Sequence, residues 1–541
     1  MRRTITLLAV LLVLVGLATL ATAEWSGTPP PTAPGEAWTV VTDTAVTGEE
    51  VFLSGDLTIK AGASLTLHRA TLVMTGGGEP AILVEEGATL VIHDATLLST
   101  FGTWYTLETF GTVRISDSDI SGALGGIQAR SDGLVVSGTR IHDCLGPAIE
   151  LWGHDATVSG CVIDDVDVGI SSVSIEAPEL EDGVMVADGW SVSISDTVIT
   201  AKAYGIYKFW QKSLTGALDL DFITKLDNVT ITGSANAGVY LYVDLYVNKG
   251  SGTLDELFDL KWVGGSVSNN GGPGIYVYHY IKPYYVNAGV TCQDLVELTN
   301  VKVNENGGDG IMIEDTLYQD RGNAPGITLS QSLKLTDCEV NGNTNSGILV
   351  KRPRTIYYVY GTSAKTRRDY LYLTDTDVSA NGEYGVYLDD NHYSYGTRGR
   401  FVWYNTVQLR GATISSNGQD GLFSYLYERL YYGDRTGVDY RQNFDIQDSE
   451  LGSNGRNGFD IQTSGYMYYH GTMGFRNDLN ILRTRIHNNT GMGGYAYFYV
   501  YGYDWQFTFS RTGTYTFSGN FVEDNVGAGC MPAPMATRTC R

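Results

Sequence analysis

Three pairs of charged residues recur at one position of a repeated segment. Each pair lies four and five positions after a repeat glycine, and the pairs are Glu314 and Asp315, Lys351 and Arg352, and Asp389 and Asp390. If the segments stack as neighbouring coils, carboxylates two coils apart are ~9.6 Å from each other. That is near the upper end of the ~6.5–9.5 Å between the two carboxyl groups of inverting glycosidases. With His392 as a proton carrier, the candidate catalytic residues are Glu314, Lys351, Asp389, Asp390 and His392.

The same order of charges has a simpler interpretation. Acid, base and acid on three stacked coils avoid like-charge repulsion between neighbours, and we favour this reading over catalysis. No cofactor is predicted, and Ca²⁺ enters only if the chain is a lyase. The six cysteines lack the paired short spacing of a zinc site, so no metal is predicted either. Cys530 with Cys540 is the disulfide that we expect first.

Tyrosine is the second chemical feature. Of 36 tyrosines, only Tyr105 precedes residue 200. Stacked coils would align tyrosines into ladders that bind sugar rings or protein partners, whereas the alternative is that they stiffen the sheet through cross-strand pairs, with half of the rings pointing inward. The candidate ligand-binding residues are Tyr357, Tyr360, Tyr395, Arg398, Tyr432 and Arg435. Other basic residues are expected at the tips of the extended coils, either gripping an anionic polymer or forming a solvated rim, and they are Lys365, Arg367, Arg368 and Arg400.

Repeats identify the elements that must position these residues. AGASLTLHRATL at Ala61 returns as EGATLVIHDATL at Glu86, 25 residues later, and both alternate apolar and polar side chains as half-buried strands do. Later, an asparagine recurs every 35 to 38 residues with a glycine four positions on. The asparagines predicted to form a structural ladder are Asn270, Asn306, Asn343, Asn381, Asn417, Asn454, Asn489 and Asn525.

Asparagine tolerates a left-handed backbone at a bend and can hydrogen-bond to its equivalent one coil away. We expect the glycine to supply a second unusual backbone angle. The late coils are longer than the early ones by a stretch that reads as a hairpin. The expected organisation is a signal peptide over 1–23, a flexible lead-in over 24–48, short coils over 49–198, long Tyr-rich coils over 199–530 and a tail over 531–541.

These repeats resemble the right-handed parallel β-helix repeat family, whose fold is shared with pectate lyases and polygalacturonases. The resemblance covers roughly residues 50 to 530 and implies an all-β solenoid, with short coils first and hairpin-extended coils later. It implies little about activity. Pectate lyases need several carboxylates for Ca²⁺ and a nearby arginine. Polygalacturonases need a set of which only Asp389-Asp390 and His470-Gly471 exist here.

The first residues indicate export. A basic start, an apolar run from Leu7 to Leu20 and Ala21-Thr22-Ala23 together read as a signal peptide, so a secreted or cell-surface protein is expected. A net charge of −24 argues against nucleic acid as a partner. The sequence has no second apolar run of about 20 residues, so we expect no membrane span in the mature chain.

The leading functional hypothesis is a non-enzymatic rod that binds polysaccharide, a surface glycan or a surface protein. One alternative is a polysaccharide lyase or glycoside hydrolase with its site on the coils around residues 314–392. The other alternative is a structural filament or a surface-layer component.

Overall fold

The computed structural model describes residues 24–100, 102–152, 154–174, 186–214, 218–248, 253–284, 289–322, 326–359, 365–396, 399–431, 436–468, 471–502, 507–527, 531–532 and 536–537. The signal peptide predicted over 1–23 and both Cys530 and Cys540 lie outside these residues. The described residues contain strands and turns and no helix, and so none of them forms a helix able to span a bilayer.

The strands of the first part of the chain are short up to β18. They are β1 (Glu24–Ser26), β2 (Trp38–Val40), β3 (Thr44–Thr47), β4 (Glu50–Leu53), β5 (Leu57–Ile59), β6 (Ser64–His68), β7 (Thr71–Met74), β8 (Ala81–Val84), β9 (Thr89–His93), β10 (Thr96–Ser99), β11 (Tyr105–Thr109), β12 (Thr112–Ser116), β13 (Asp119–Ser121), β14 (Ala123–Ala129), β15 (Leu134–Ser137), β16 (Arg140–His142), β17 (Pro147–Leu151), β18 (Ala156–Ser159), β19 (Val162–Ser174) and β20 (Val186–Ser195).

From β21 onward most strands are long, and from β27 onward short strands stand between them. They are β21 (Val198–Leu214), β22 (Leu218–Thr232), β23 (Ala237–Asn248), β24 (Leu254–Ser268), β25 (Ile275–Tyr284), β26 (Val290–Thr299), β27 (Lys302–Asn304), β28 (Ile311–Gly322), β29 (Ile327–Thr336), β30 (Ile348–Lys351), β31 (Arg354–Val359), β32 (Lys365–Thr374), β33 (Asp377–Ser379), β34 (Val386–Tyr395), β35 (Gly399–Arg410), β36 (Thr413–Ser415), β37 (Leu422–Tyr431), β38 (Thr436–Gln447), β39 (Glu450–Gly452), β40 (Phe459–Tyr468), β41 (Gly471–Leu482), β42 (Arg485–His487), β43 (Gly494–Gly502), β44 (Phe507–Thr512), β45 (Tyr515–Ser518), β46 (Phe521–Glu523), β47 (Met531–Pro532) and β48 (Ala536–Thr537).

Strand pairing confirms the predicted fold class, a parallel β-helix. The repeated early segments stack in the expected register, with β6 parallel to β9 and Leu65 opposite Leu90. In the long coils one parallel sheet, here called the ascending sheet, is formed by β21, β23, β25, β28, β30 with β31, β34, β37, β40 and β43. A second, the returning sheet, joins β22, β24, β26, β29, β32, β35, β38 and β41.

The extra residues of the late coils lengthen these two sheets. From β23 onward, the two long strands of one coil pair with neighbouring coils and, within the described residues, not with each other, so each extension is a pair of facing strands. For example, β25 pairs with β23 and β28, while β26 pairs with β24 and β29. The physical reason is that facing sheets bury their inward side chains, as in a sandwich. A third, narrow sheet of β33, β36, β39, β42 and β46 closes the coil.

Two apolar clusters fill the solenoid. The larger runs from Trp38 to Ala496 along the body of the helix. The smaller lies towards the outer part of the extension and includes Ile356, Trp403, Leu430 and Phe475. Between the two clusters the interior is polar, which is described below with the candidate site.

The asparagine ladder is confirmed. Asn417 Nδ2 donates to Asn454 Oδ1 at 3.1 Å, and Asn381 Nδ2 donates to Asn417 Oδ1 at 3.0 Å. The left-handed backbone, however, belongs to the residue before each asparagine, such as Ser416 with a φ of 58° and Ser453 with a φ of 58°. The ladder asparagine is free of that strain and turns its amide into the core, where Asn417, for example, caps Val378 O and Asn381 N of the preceding coil.

The repeat glycines have a different role from the predicted one. Gly421 is not among the glycines with positive φ. A Cβ there would lie 2.6 Å from Gly458 O and 2.8 Å from Asn454 Nδ2. Glycine is required because the next coil approaches too closely for a side chain, and the expectation of an unusual backbone angle is wrong.

Four cysteines are described, and all four are buried free thiols: Cys144, Cys161, Cys292 and Cys338. Burial raises the pKa of each thiol. They act as small apolar core residues.

Candidate functional site

The outward face of the ascending sheet carries most of the tyrosines and is here called the tyrosine face. Side chains of a strand alternate between the two faces of the sheet. On β25 this alternation buries Ile275, Val277 and His279 and leaves Tyr276 and Tyr278 partly exposed. Among the tyrosines whose burial is described, only Tyr105 and Tyr440 are buried. The expectation that half of the rings point inward is therefore wrong.

Equivalent rings of the tyrosine face stack from coil to coil. The ring centroids of Phe209 and Tyr242 are 4.5 Å apart, and those of Tyr242 and Tyr278 are 4.7 Å apart, with interplanar angles of 10° and 7°. Tyr431 and Tyr468 stack at 4.2 Å and 2°. Stacked rings cover one another's faces, so what a column presents to solvent is a row of ring edges and hydroxyl groups.

Burial keeps several phenol groups of this face protonated over the physiological range. Burial raises the pKa of Tyr240 and of Tyr387 to about 12, and neighbouring tyrosines add to the effect. Burial and the Glu314 carboxylate raise the pKa of Tyr276 further. Each hydroxyl is therefore a neutral group that donates and accepts hydrogen bonds.

A charged segment interrupts the central column of tyrosines. Tyr242, Tyr278, Glu314, Lys351, Asp389 and Tyr425 occupy one register position on successive coils. Lys351 Nζ lies 3.0 Å from Glu314 Oε1, and Tyr276 Oη donates to Glu314 Oε2 at 2.9 Å. Burial raises the pKa of Asp389, and Lys351 opposes the shift. The predicted charge ladder thus exists on this face.

The inward members of the same pairs form a second, buried ladder. Arg352 Nη1 donates to Asp390 Oδ1 at 3.2 Å, and its Nε donates to Gln331 Oε1 at 2.6 Å. Arg367, on the returning sheet, donates to Asp369 on its own strand and to Asp315 on the ascending sheet. These side chains lie between the two apolar clusters.

This buried layer, here called the polar stripe, runs along several coils. Its members face one another across the two sheets and are His279, Asp315, Arg352, Arg354, Asp390, His392 and Glu428 from the ascending sheet, and Glu256, Asp294, Gln331, Arg367, Asp369, Asn405 and Gln442 from the returning sheet. Sequence reasoning missed the stripe as a whole. The sequence did contain a signal, because these charged residues occupy the alternate strand positions that are otherwise filled by inward-pointing apolar residues.

The structure divides the predicted catalytic set between two environments. Glu314, Lys351 and Asp389 lie on the outer face, whereas Asp390 and His392 lie in the polar stripe, 3% and 2% exposed. Burial raises the pKa of Asp390 to about 6, although Arg352 opposes the shift. Burial and the nearby arginines lower the pKa of His392 well below its usual value, and its Nδ1 lies 3.2 Å from Tyr440 Oη.

Two of the predicted ligand-binding residues are described. Tyr357 and Tyr395 are partly exposed neighbours on the tyrosine face, with ring centroids 6.2 Å apart. Tyr360, Arg398, Tyr432 and Arg435 lie outside the described residues. Of the predicted basic rim, Arg368 and Arg400 are exposed, but Lys365 and Arg367 are each 1% exposed and point into the solenoid. That part of the prediction is wrong, since both residues sit at inward positions of β32.

The comparisons with known proteins identify no family for this chain. No family model matches the chain, and no curated protein matches it. Among solved structures, the A-module of the Azotobacter vinelandii mannuronan C-5 epimerase AlgE4 is similar over 90% of this chain and 91% of that chain, with 12% identity and a TM-score of 0.27. The AlgE6 A-module of the same organism is similar over 88% of this chain and 91% of that chain, with 10% identity and a TM-score of 0.19. Likenesses this low carry no functional argument.

Proposed function

We propose that this chain is a non-catalytic binding rod that holds an extended polysaccharide or surface glycan along its tyrosine face. The observation that carries the proposal is that tyrosines from successive long coils share one outward face and remain partly exposed. Their hydroxyls repeat with the coil spacing, so a polymer of regularly spaced hydroxyl groups can pair with many of them at once.

The rigidity of the solenoid suits this role. A preformed row of hydroxyl groups loses little conformational entropy when a ligand binds, because the stacked rings are already held in place. Many weak contacts along a polymer then add up to useful affinity.

The candidate carboxylates favour binding over catalysis. Glu314 is engaged by Lys351 and by the Tyr276 hydroxyl. Asp390 and His392 are enclosed in the polar stripe, away from a surface that a polymer could reach. Since Glu314, Lys351 and Asp389 lie within one column of the tyrosine face, they are proposed to select among the glycans that the face accepts.

A matched pair of variants tests the proposal. In the first, Tyr242, Tyr278 and Tyr280 are replaced by Phe, which preserves ring stacking and removes three hydroxyls of the tyrosine face. In the control, Tyr370 and Tyr372, which are partly exposed on the returning sheet, are replaced by Phe. Purified proteins are screened on a glycan array, with release of reducing sugar measured on every ligand found.

The expected result is glycan binding that weakens roughly 100- to 200-fold in the first variant, at about 1 kcal/mol for each of the three lost hydrogen bonds, and is unchanged in the control. Sugar release that Asp389→Asn abolishes would instead make the chain an enzyme. An absence of binding to any glycan, or equal losses in both variants, would also contradict the proposal.

A further inference from the structure

Three metal-ligand side chains meet at one end of the polar stripe. Glu256 and Asp294 project inward from β24 and β26 of the returning sheet, and His279 projects inward from β25 of the ascending sheet. The three residues therefore come from three strands and join both sheets of the long coils. The functional proposal above does not involve them.

Their atoms are close enough to share one ion. His279 Nε2 lies 3.1 Å from Glu256 Oε1, and His279 Nδ1 lies 2.8 Å from Asp294 Oδ2. One ligand atom from each of the three residues lies within 4.8 Å of the other two. Ligands bound to tetrahedral Zn²⁺ at ~2.0–2.2 Å are ~3.3–3.5 Å apart, so small side-chain movements would bring all three onto an ion.

Among the described residues, Glu256 accepts no well-aligned hydrogen bond. The residue is 3% exposed, and neither of its carboxylate oxygens accepts a hydrogen bond, because the 3.1 Å approach to His279 is not aligned as one. Asp294 Oδ1 is also without a donor. A buried carboxylate oxygen without a hydrogen bond is costly, and both of these carboxylates approach the same imidazole, from its two nitrogens.

The charge around His279 points to a cation. Asp315 Oδ1 lies 3.8 Å from His279 Nδ1, which makes three carboxylates around one ring. The Arg367 guanidinium, which pairs with Asp315, is shared between Asp315 and Asp369. Three carboxylates therefore lie around one imidazole ring, and a divalent ion bound among them would compensate their charge.

We propose that Glu256, His279 and Asp294 form a buried structural site for one divalent cation of the Zn²⁺ class. The imidazole nitrogen and the small number of oxygens favour Zn²⁺ over Ca²⁺, which takes six to eight oxygen ligands. Cys292 lies two residues before Asp294, buried on the same face of β26, and offers a thiol next to the site. The ion would cross-link the two sheets at the start of the polar stripe.

Metal content and thermal unfolding of the full chain test the site. Wild-type protein is stripped with a chelator, dialysed against Zn²⁺ and then against metal-free buffer, and analysed by mass spectrometry for retained metal. Parallel samples receive Ca²⁺ or Mn²⁺. Glu256→Gln removes one ligand charge at nearly constant volume, and Asp294→Asn is a second such variant should the first fail to fold.

Asp259→Asn is the matched control. Asp259 lies on β24 as Glu256 does, but it pairs with Lys261 at 3.2 Å and takes no part in the cluster. We expect wild-type and control proteins to retain about one equivalent of Zn²⁺ and to melt about 2–4 °C higher with the ion than without it. The ligand variants should retain none of that equivalent and show no shift.

Two results would overturn the site. Wild-type protein that retains no Zn²⁺ would mean that Glu256, His279 and Asp294 do not form an ion site. Ligand variants that retain as much Zn²⁺ as the wild type would place any bound ion elsewhere. Retention of Ca²⁺ in preference to Zn²⁺ would contradict the assigned class of ion.

Discussion

Arg367 Nη2 lies 2.7 Å from Asp315 Oδ2 inside the solenoid, and the two side chains are 0% and 8% exposed. The preceding residue, Glu314, provides a comparison, because its side chain points outward and pairs with the partly exposed Lys351. Adjacent residues thus make one buried and one surface ion pair.

The buried pair should matter far more for stability. Asp315→Asn leaves Arg367 with Asp369 as its remaining anion, and we expect a loss of about 3 kcal/mol in the free energy of unfolding. Glu314→Gln should cost less than about 1 kcal/mol, since exposed pairs contribute little. Urea unfolding of both variants measures the difference, and equal losses would contradict this account of the polar stripe.

The asparagine ladder should be strongest in its middle. Asn417→Ala removes two bonds donated to Val378 O and Asn454 Oδ1 and two accepted from Asn381. Because these groups are buried, we expect a loss of about 3–5 kcal/mol.

Asn525 ends the ladder and is only partly buried, so water can replace its bonds. Asn525→Ala should therefore cost about 1 kcal/mol. Thermal unfolding of the two alanine variants compares them directly. A terminal substitution as damaging as the central one would show that the ladder does not depend on burial.

Close approach between coils predicts a contrast between two glycines. Gly421→Ala places a Cβ 2.6 Å from Gly458 O, so the coils must separate locally. We expect a loss of at least about 1–3 kcal/mol, as for other overpacked sites. Gly437→Ala meets nothing within 4 Å and should be neutral or slightly stabilising. The melting temperatures of the two variants measure this contrast, and similar melting temperatures would refute the close-approach explanation.

The sequence predicted the stacking better than the orientation of the charged residues. A spacing of 35 to 38 residues between asparagines predicts coils in register, and with them the alignment of Glu314, Lys351 and Asp389. Because side chains alternate along a strand, Asp315 is also predicted to point inward, on the same side as Ile311 and Ile313. A buried carboxylate is acceptable only with a partner, however, and Arg367 is 52 residues away on the opposite sheet. Local patterns carry no information about that contact.

The glycine roles show the same limit. Spacing identifies Gly421 as a repeat position, but whether glycine is needed for a backbone angle or for a close approach depends on the next coil. The tyrosines are a related case, because alternation predicts two faces without saying which of them is outward.

Glu428 gives the polar stripe a pH dependence that can be isolated. Burial raises the pKa of its carboxyl to about 8, although a hydrogen bond from the Tyr440 hydroxyl and the charge of Arg354 oppose the shift. His392 also lies against it, with Nδ1 3.5 Å from Glu428 Oε2. In the unfolded chain the same carboxyl has a pKa of about 4.3. Between these two values the folded state holds the proton more tightly, so rising pH weakens folding.

Replacing Glu428 by Gln, which is neutral at all pH values and similar in shape, should remove this contribution. We expect wild type and Glu428→Gln to have similar stability near pH 4, and the variant to become progressively more stable than the wild type as pH rises to 8, by ~1.4 kcal/mol per pH unit at most. Above pH 8 the difference should stay constant. Urea unfolding at pH 4, 6, 8 and 9 measures the profile. A difference that does not change with pH, or one that favours the wild type as pH rises, would show that Glu428 is ionised inside the folded protein.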